Sequence, residues 1–211
     1  AKGKSHLVRL PLIGRFNVYN ALAALASAAA LRISMREAVS ALAGVPQVPG
    51  RMECVGSVDG ATVFVDYAHT PDALDNVCRT LRELDPRRLI TVFGCGGDRD
   101  RDKRPLMGKA ASEHSDYCVV TSDNPRSENP ESIIADIERG MSGSIYERVV
   151  NRAEAIQAAV QEARGGDVVL IAGKGHEDYQ EFADGRIPFD DRKQTRVAMD
   201  ARRKARGEER A

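Results

Sequence analysis

The pattern of apolar positions changes near residue 50. Residues 17–31, NVYNALAALASAAAL, are apolar on nearly every side, which predicts a buried helix too short to cross a bilayer. Residues 34–43, SMREAVSALA, predict a second helix opening on Ser34, with Glu37 at the spacing of a capping box. GVPQVPG, residues 44–50, places two prolines and two glycines in seven residues and reads as a linker. Beyond it, short apolar runs alternate with helical periodicity. MECVGSVDGATVFVD (52–66) predicts two strands around the Asp59-Gly60 turn. Thr70-Pro71-Asp72 predicts a capped helix to about residue 84, with proline at its first position. LITVF (89–93), YCVVT (117–121) and DVVLIA (167–172) read as buried strands, and IYERVV (145–150) as a further strand. Helices are expected at about 104–114, 130–139, 152–163 and 191–205, and a hairpin around Asp184-Gly185. The charged tail is expected to fray. Buried strands alternating with helices predict an α/β fold, a mostly parallel sheet covered on both faces.

Composition narrows the function classes. The chain has 211 residues, 42% of them hydrophobic, enough for a core and too many for disorder. Thirty-one basic and 31 acidic residues give a net charge of +0, so no overall basic surface suits nucleic acid. No apolar run approaches the roughly 20 residues of a membrane span, and residues 1–10 lack a signal-peptide core. Cys54, Cys78, Cys95 and Cys118 are scattered, and the four histidines do not cluster with them. Reduced thiols, a cytoplasmic location and no metal site are expected.

Ligands of parallel sheets bind at the carboxyl ends of the strands. Four expected strand ends carry chemistry here: Asp66 to Thr70, GCGGDRDRDKR (94–104), Ser122 to Arg126, and GKGHED (173–178). Each has a bland reading. The glycines at 94, 96 and 97 allow a tight turn without being a dinucleotide fingerprint. The charges of 98–104 suit a solvated loop, and Asp123-Asn124-Pro125 an Asx turn. His69 suits a helix start, and Glu177 an ion pair with Lys174. Taken together they favour a site, in which Arg126 and Glu177 grip the carboxylate and ammonium of an amino acid. Gly3-Lys4-Ser5 resembles the end of a phosphate loop, but a strand-like HLVRL follows instead of a helix, and it is rejected.

LIGRFNVYNALAA (12–24), VPGRME (48–53), VDYAHTPDAL (65–74), VFGCGGDRD (92–100), VVTSDNPR (119–126) and AGKGHEDYQ (172–180) resemble the Mur ligases, most closely the branch that builds the UDP-N-acetylmuramoyl tripeptide of peptidoglycan. The resemblance implies that residues 1–48 end a central ATPase domain and that 49–211 form a Rossmann-like, amino-acid-binding C-terminal domain. It implies an ATP- and Mg2+-dependent amide-bond-forming reaction through an acyl phosphate, with UDP-MurNAc-L-Ala-D-Glu and meso-diaminopimelate as substrates. By the same resemblance Asn20 lies near adenine, Asp66 on the ribose and Arg51 near the phosphates, with His69 and Arg51 as catalytic candidates. Arg99, Asp123, Asn124, Pro125, Arg126, Gly173 and Glu177 are implied to bind the amino acid, and the intact DNPR favours diaminopimelate over L-lysine. No phosphate loop is present, so the chain is expected to be inactive alone. The alternatives are a stand-alone amino-acid-binding module, an L-lysine-adding ligase, or another ligase of this fold.

Overall fold

The computed structural model describes residues 5–143 and 145–208. Gly3 and Lys4 of the rejected phosphate-loop triplet, and residues 209–211 of the tail, lie outside them. The chain divides into two compact units, residues 1–48 and 49–211.

The first unit holds α1 (Arg15–Ala30) and α2 (Met35–Ala43). Two expectations fail here. Only Ala21 of α1 is buried, because two helices cannot cover an element that is apolar all round. Ser34 occupies the N-cap of α2, but its side chain makes no capping hydrogen bond.

The second unit is built on β1 (Glu53–Val58), β2 (Ala61–Asp66), β3 (Leu89–Phe93), β4 (Tyr117–Val120), β5 (Ile145–Arg148) and β6 (Val168–Ala172). Their order is β1-β2-β6-β3-β4-β5, and every neighbouring pair is parallel except β1 with β2. Asp59 and Gly60 both take positive φ, 51° and 80°, as a two-residue hairpin turn requires. The connecting helices are α3 (Pro71–Arg82), α4 (Lys103–His114), α5 (Pro130–Glu138) and α6 (Arg152–Glu162), followed by the hairpin β7 (Tyr179–Phe182) and β8 (Gly185–Pro188) and by α7 (Asp191–Glu208). Thr70 Oγ1 accepts from Ala73 N–H, and the Asn129 and Asn151 side chains cap α5 and α6. α7 continues past residue 205, where fraying was expected.

Side chains alternate across the sheet. Val63, Val65, Ile90, Val92, Val119, Val169 and Ile171 pack with Ala155, Ile156, Ala159 and Val160 of α6 and with Met199 of α7. On the opposite face Thr91 meets Cys78 of α3. Every residue of β3 and β6 is buried, as their unbroken apolar runs predict. Because β2, β6, β3 and β4 are adjacent and parallel, their carboxyl ends share one edge of the sheet. The four chemistry-bearing segments leave from that edge, two of them after strands far apart in sequence. No helix among the described residues is long and apolar enough to cross a membrane.

Candidate functional site

The end of β2 is organised by one buried carboxylate. Asp66 accepts from Met52 N–H through Oδ2 at 2.7 Å and from Ala68 N–H through Oδ1 at 2.8 Å. Burial pushes its carboxyl above the usual value, against the pull of these two N–H groups and of Arg51. The turn it holds is tight. Gly50 has φ 66°, and a Cβ there would lie 2.2 Å from His176 N, so backbone 175–176 can approach only a glycine. The Arg51 guanidinium lies 4.9 Å from the Tyr67 ring centroid, with the His69 and His176 rings at 4.5 and 5.2 Å. His69 Nδ1 lies 2.8 Å from Tyr67 O, and Lys103 Nζ donates to His69 O at 3.2 Å.

A cavity of about 420 Å³ opens beside this group. Tyr67, His69, Arg99, Lys103, Asp123, Asn124, Arg126, Gly173, Glu177 and Tyr179 are in its wall, with Gly94, Cys95 and Gly96 from the turn after β3. Gly94 is required there, since a Cβ would come within 2.2 Å of Thr121 O. Cys95 is no nucleophile: burial pushes its thiol up to about 12.

Two charge groups border the cavity, joined through Asn124 Oδ1. In one, Lys174 is fully buried. Its Nζ donates to Asn124 Oδ1 at 2.8 Å and to Glu177 Oε2 at 3.1 Å, with Asp123 Oδ1 at 3.6 Å. Asn124 Nδ2 also donates to Glu177 Oε2 at 3.1 Å. The other buried cation nearby, Arg152, is matched by Asp191 through two hydrogen bonds of 2.8 Å. It also donates to Ala172 O, clamping the end of β6. Two carboxylates thus share one ammonium, a surplus of negative charge. In the other group two guanidiniums share one carboxylate. Arg126 Nε donates to Glu181 Oε2 at 3.0 Å, and Arg186 donates to Glu181 Oε1 at 3.2 Å. Desolvation raises the Glu181 carboxyl, but hydrogen bonds and charge from Arg186 and Arg126 outweigh it and hold it below its usual value. Arg99 and Lys103 add positive charge to the cavity wall.

Of the residues singled out from sequence, Arg99, Asp123, Asn124, Arg126, Gly173, Glu177 and His69 line this one cavity. Pro125 is buried behind it, with its carbonyl against Gly97. Arg51 and Asp66 gather at the end of β2 outside the cavity wall. Asn20 lies on α1 in the first unit, where its Nδ2 donates to Asn17 Oδ1. Lys174 was legible only as an ion pair, yet it cross-links the loops after β4 and β6. Tyr179 fell within the motif 172–180 without being singled out, and Glu181, just past it, carried no signal. Neither Asp123 nor Glu177 suits a magnesium ion, because both lie against the Lys174 ammonium. Asp75, Glu113 and His114 form the one candidate metal cluster among the described residues, on α3 and α4 away from the cavity.

The family described as Mur ligase, glutamate ligase domain, matches residues 50–175. UDP-N-acetylmuramoyl-L-alanyl-D-glutamate–2,6-diaminopimelate ligase of Syntrophomonas wolfei is 56% identical over 192 residues, which are 90% of this chain and 39% of that protein. The ligase of the same name from Geobacillus thermodenitrificans is 50% identical, over 93% of this chain and 40% of its own. A solved structure of a ligase with that name superposes with a TM-score of 0.74 at 44% identity, covering 96% of this chain and 42% of the other. Mycobacterium tuberculosis folylpolyglutamate synthase complexed with ADP and AMPPCP superposes at 0.65 with 27% identity, over 79% of this chain and 39% of its own. The chain spans about two-fifths of the length of the curated relatives it matches.

Proposed function

Because the chain belongs to the Mur ligase family through its glutamate ligase domain, we propose that it is the amino-acid-receiving end of a ligase that joins 2,6-diaminopimelate to UDP-MurNAc-L-Ala-D-Glu in peptidoglycan synthesis. Residues 1–48 belong to the end of the central, nucleotide-hydrolysing domain in this reading, and the remainder is the amino-acid-binding C-terminal domain. In the complete ligase, a carboxylate oxygen attacks the γ-phosphorus of ATP and ADP leaves. The amine of the incoming amino acid then attacks the acyl carbon and expels phosphate, losing a proton. ATP supplies the leaving group that a free carboxylate lacks, and Mg2+ is held by residues outside the cavity.

The observation that carries this reading is that one cavity wall holds both a surplus of carboxylates, Asp123 and Glu177, and the guanidiniums of Arg126 and Arg99. A ligand with both an ammonium and a carboxylate satisfies both groups, whereas a simple anion or cation satisfies one. Asp123 and Glu177, carrying more negative charge than Lys174 offsets, receive the ammonium. Arg126 receives the distal carboxylate through the ends of its fork, with Arg99 beside it. Asn124, Pro125 and Gly173 set the loop geometry: a Cβ at Gly173 would lie 2.6 Å from Asp123 Oδ2. Arg51 and Lys103, with the His69 ring between their loops, form an edge suited to the phosphates as charge moves onto the leaving oxygen. Asp66 holds the turn that carries Arg51 and keeps lone pairs for the ribose hydroxyls. Asn20 contacts the adenine.

L-Lysine lacks the second carboxylate and would leave the terminal nitrogens of Arg126 without that partner, so the site favours diaminopimelate. The test is the specificity constant for meso-diaminopimelate and for L-lysine in the complete ligase, with Arg126 intact or replaced by Ala. Arg126→Ala is expected to lower the value for diaminopimelate by roughly 10²-fold and leave lysine unchanged. An Arg126→Ala enzyme that keeps its preference would sink the proposal.

A further inference from the structure

The family match ends at residue 175, before the β7–β8 hairpin begins at Tyr179. Yet the hairpin supplies most of what holds Arg126. Arg126 N–H donates to Glu181 O at 2.9 Å, and its Nε donates to Glu181 Oε2. Glu181 N–H in turn donates to Asn124 Oδ1 at 3.0 Å, and Gln180 Nε2 donates to Asp123 O at 2.8 Å, so four hydrogen bonds stitch the hairpin to the same loop. The Arg126 backbone sits at φ 52°, a left-handed conformation that an arginine adopts only when its surroundings impose it. Arg186 donates to the remaining oxygen of Glu181 and stacks 4.2 Å from the Tyr179 ring centroid, which holds Glu181 in turn.

We infer that Glu181, braced by Arg186, is the positioning residue that sets the choice of amino acid, by aiming Arg126 at the distal carboxylate of the substrate. This rests on the reading of the site given above. The chemistry of the guanidinium supports it. Nε goes to Glu181 and one Nη1 hydrogen to Gly97 O at 2.8 Å, which leaves three of its five donors on the two terminal nitrogens. Those are the pair a carboxylate can take end-on. Because Glu181 divides its charge between two guanidiniums, it orients Arg126 without cancelling it. A long, rotatable side chain is thereby fixed before substrate arrives, which lowers the entropic cost of binding.

The test is a double-mutant cycle in the complete ligase, reading specificity constants for meso-diaminopimelate and L-lysine, with thermal melts to show that each variant folds. Glu181→Ala is expected to lower the constant for diaminopimelate about 10-fold, through KM rather than kcat, and to leave lysine within about twofold. Glu181→Gln keeps an acceptor for Nε and is expected to recover part of the loss. In the Arg126→Ala background, Glu181→Ala is expected to change nothing further. Full additivity, equal losses for both amino acids, or no loss overturns the inference. If Arg126→Ala itself leaves the preference intact, the reading of the site fails. If it abolishes the preference while Glu181→Ala has no effect, only the role of Glu181 fails.

Discussion

The two charge groups at the cavity, one around Lys174 and one around Arg126, are built in opposite ways. Lys174 has no exposed side chain, and its partners leave from β4 and β6, strands with nearly every side chain buried. Arg126 and Glu181 remain 21% and 26% exposed, on a loop and a two-stranded hairpin outside the main sheet. Burial makes the first group costly to alter, because a carboxylate left there without its cation keeps its desolvation penalty. The second group is wetter, so its ion pairs add little to stability, and its residues are free to serve selectivity. One group is thus centred on a buried ammonium and the other on a partly exposed carboxylate shared by two guanidiniums.

The strongest way to break this contrast is Lys174→Met. It leaves Asp123 and Glu177 without their cation and is expected to destabilise the chain by about 3–5 kcal/mol, read from urea unfolding by circular dichroism. A loss below about 1 kcal/mol would mean that the carboxylates do not depend on Lys174.

A smaller effect is expected at the glycine beside it. Gly173 has φ 120°, and an added Cβ meets Asp123 Oδ2. Gly173→Ala should cost about 1–3 kcal/mol and weaken diaminopimelate binding by displacing Asp123. Unchanged stability and binding would show that the strand end yields more than its burial implies.

The outer wall of the exposed group sharpens the comparison through pH. Fully buried Arg104 donates to Glu128 at 2.7 Å, and Glu128 also accepts from Asp98 N–H at 2.6 Å. The hydrogen bond from Arg104 holds the Glu128 carboxyl down to about 2, from an ordinary value of 4.5, with Asp98 N–H and Arg101 assisting against desolvation. A depressed carboxylate contributes stability above the unfolded pKa and loses it as pH falls through the folded one. The parent chain should lose stability between about pH 4.5 and 2 more steeply than Glu128→Gln does, in unfolding midpoints measured across that range. Parallel midpoint curves would remove Glu128 from the acid response. The smallest effect is expected from Arg186→Ala. Its ion pair is 58% exposed, and stability should shift by no more than about 0.5 kcal/mol in the same unfolding measurement. A larger loss would show that the hairpin group is as rigid as the buried one.

Element positions were legible from local rules. Thr70-Pro71 and Asn129-Pro130 announce helix starts, Asp59-Gly60 announces a hairpin, and LITVF and DVVLIA announce buried strands. These signals rest on backbone conformation and on side-chain periodicity, which neighbours in sequence decide. The capping box at Ser34 was misread because spacing permits that hydrogen bond without compelling it. The burial of α1 was misread because an apolar surface states a need for cover and not its source.

The strand-end motifs likewise identified the cavity residues as a group, since parallel sheets collect ligand residues at one edge. Their chemistry waited for tertiary structure. Lys174 and Glu177 are three residues apart and read as an ordinary ion pair. Folding adds Asn124 and Asp123 from 50 residues away, removes water, and turns the pair into a buried cross-link. Glu181 had no motif at all. It matters because the hairpin returns across the loop after β4 and sets its carboxylate on Arg126, a contact between residues 55 apart in the chain. By itself, the sequence determined which segments become strands, helices and turns, and which polar residues leave the strands at one edge. Only the tertiary structure decided which charges stand matched and which stand open, because that depends on distance and dielectric, and neither exists until the chain has folded.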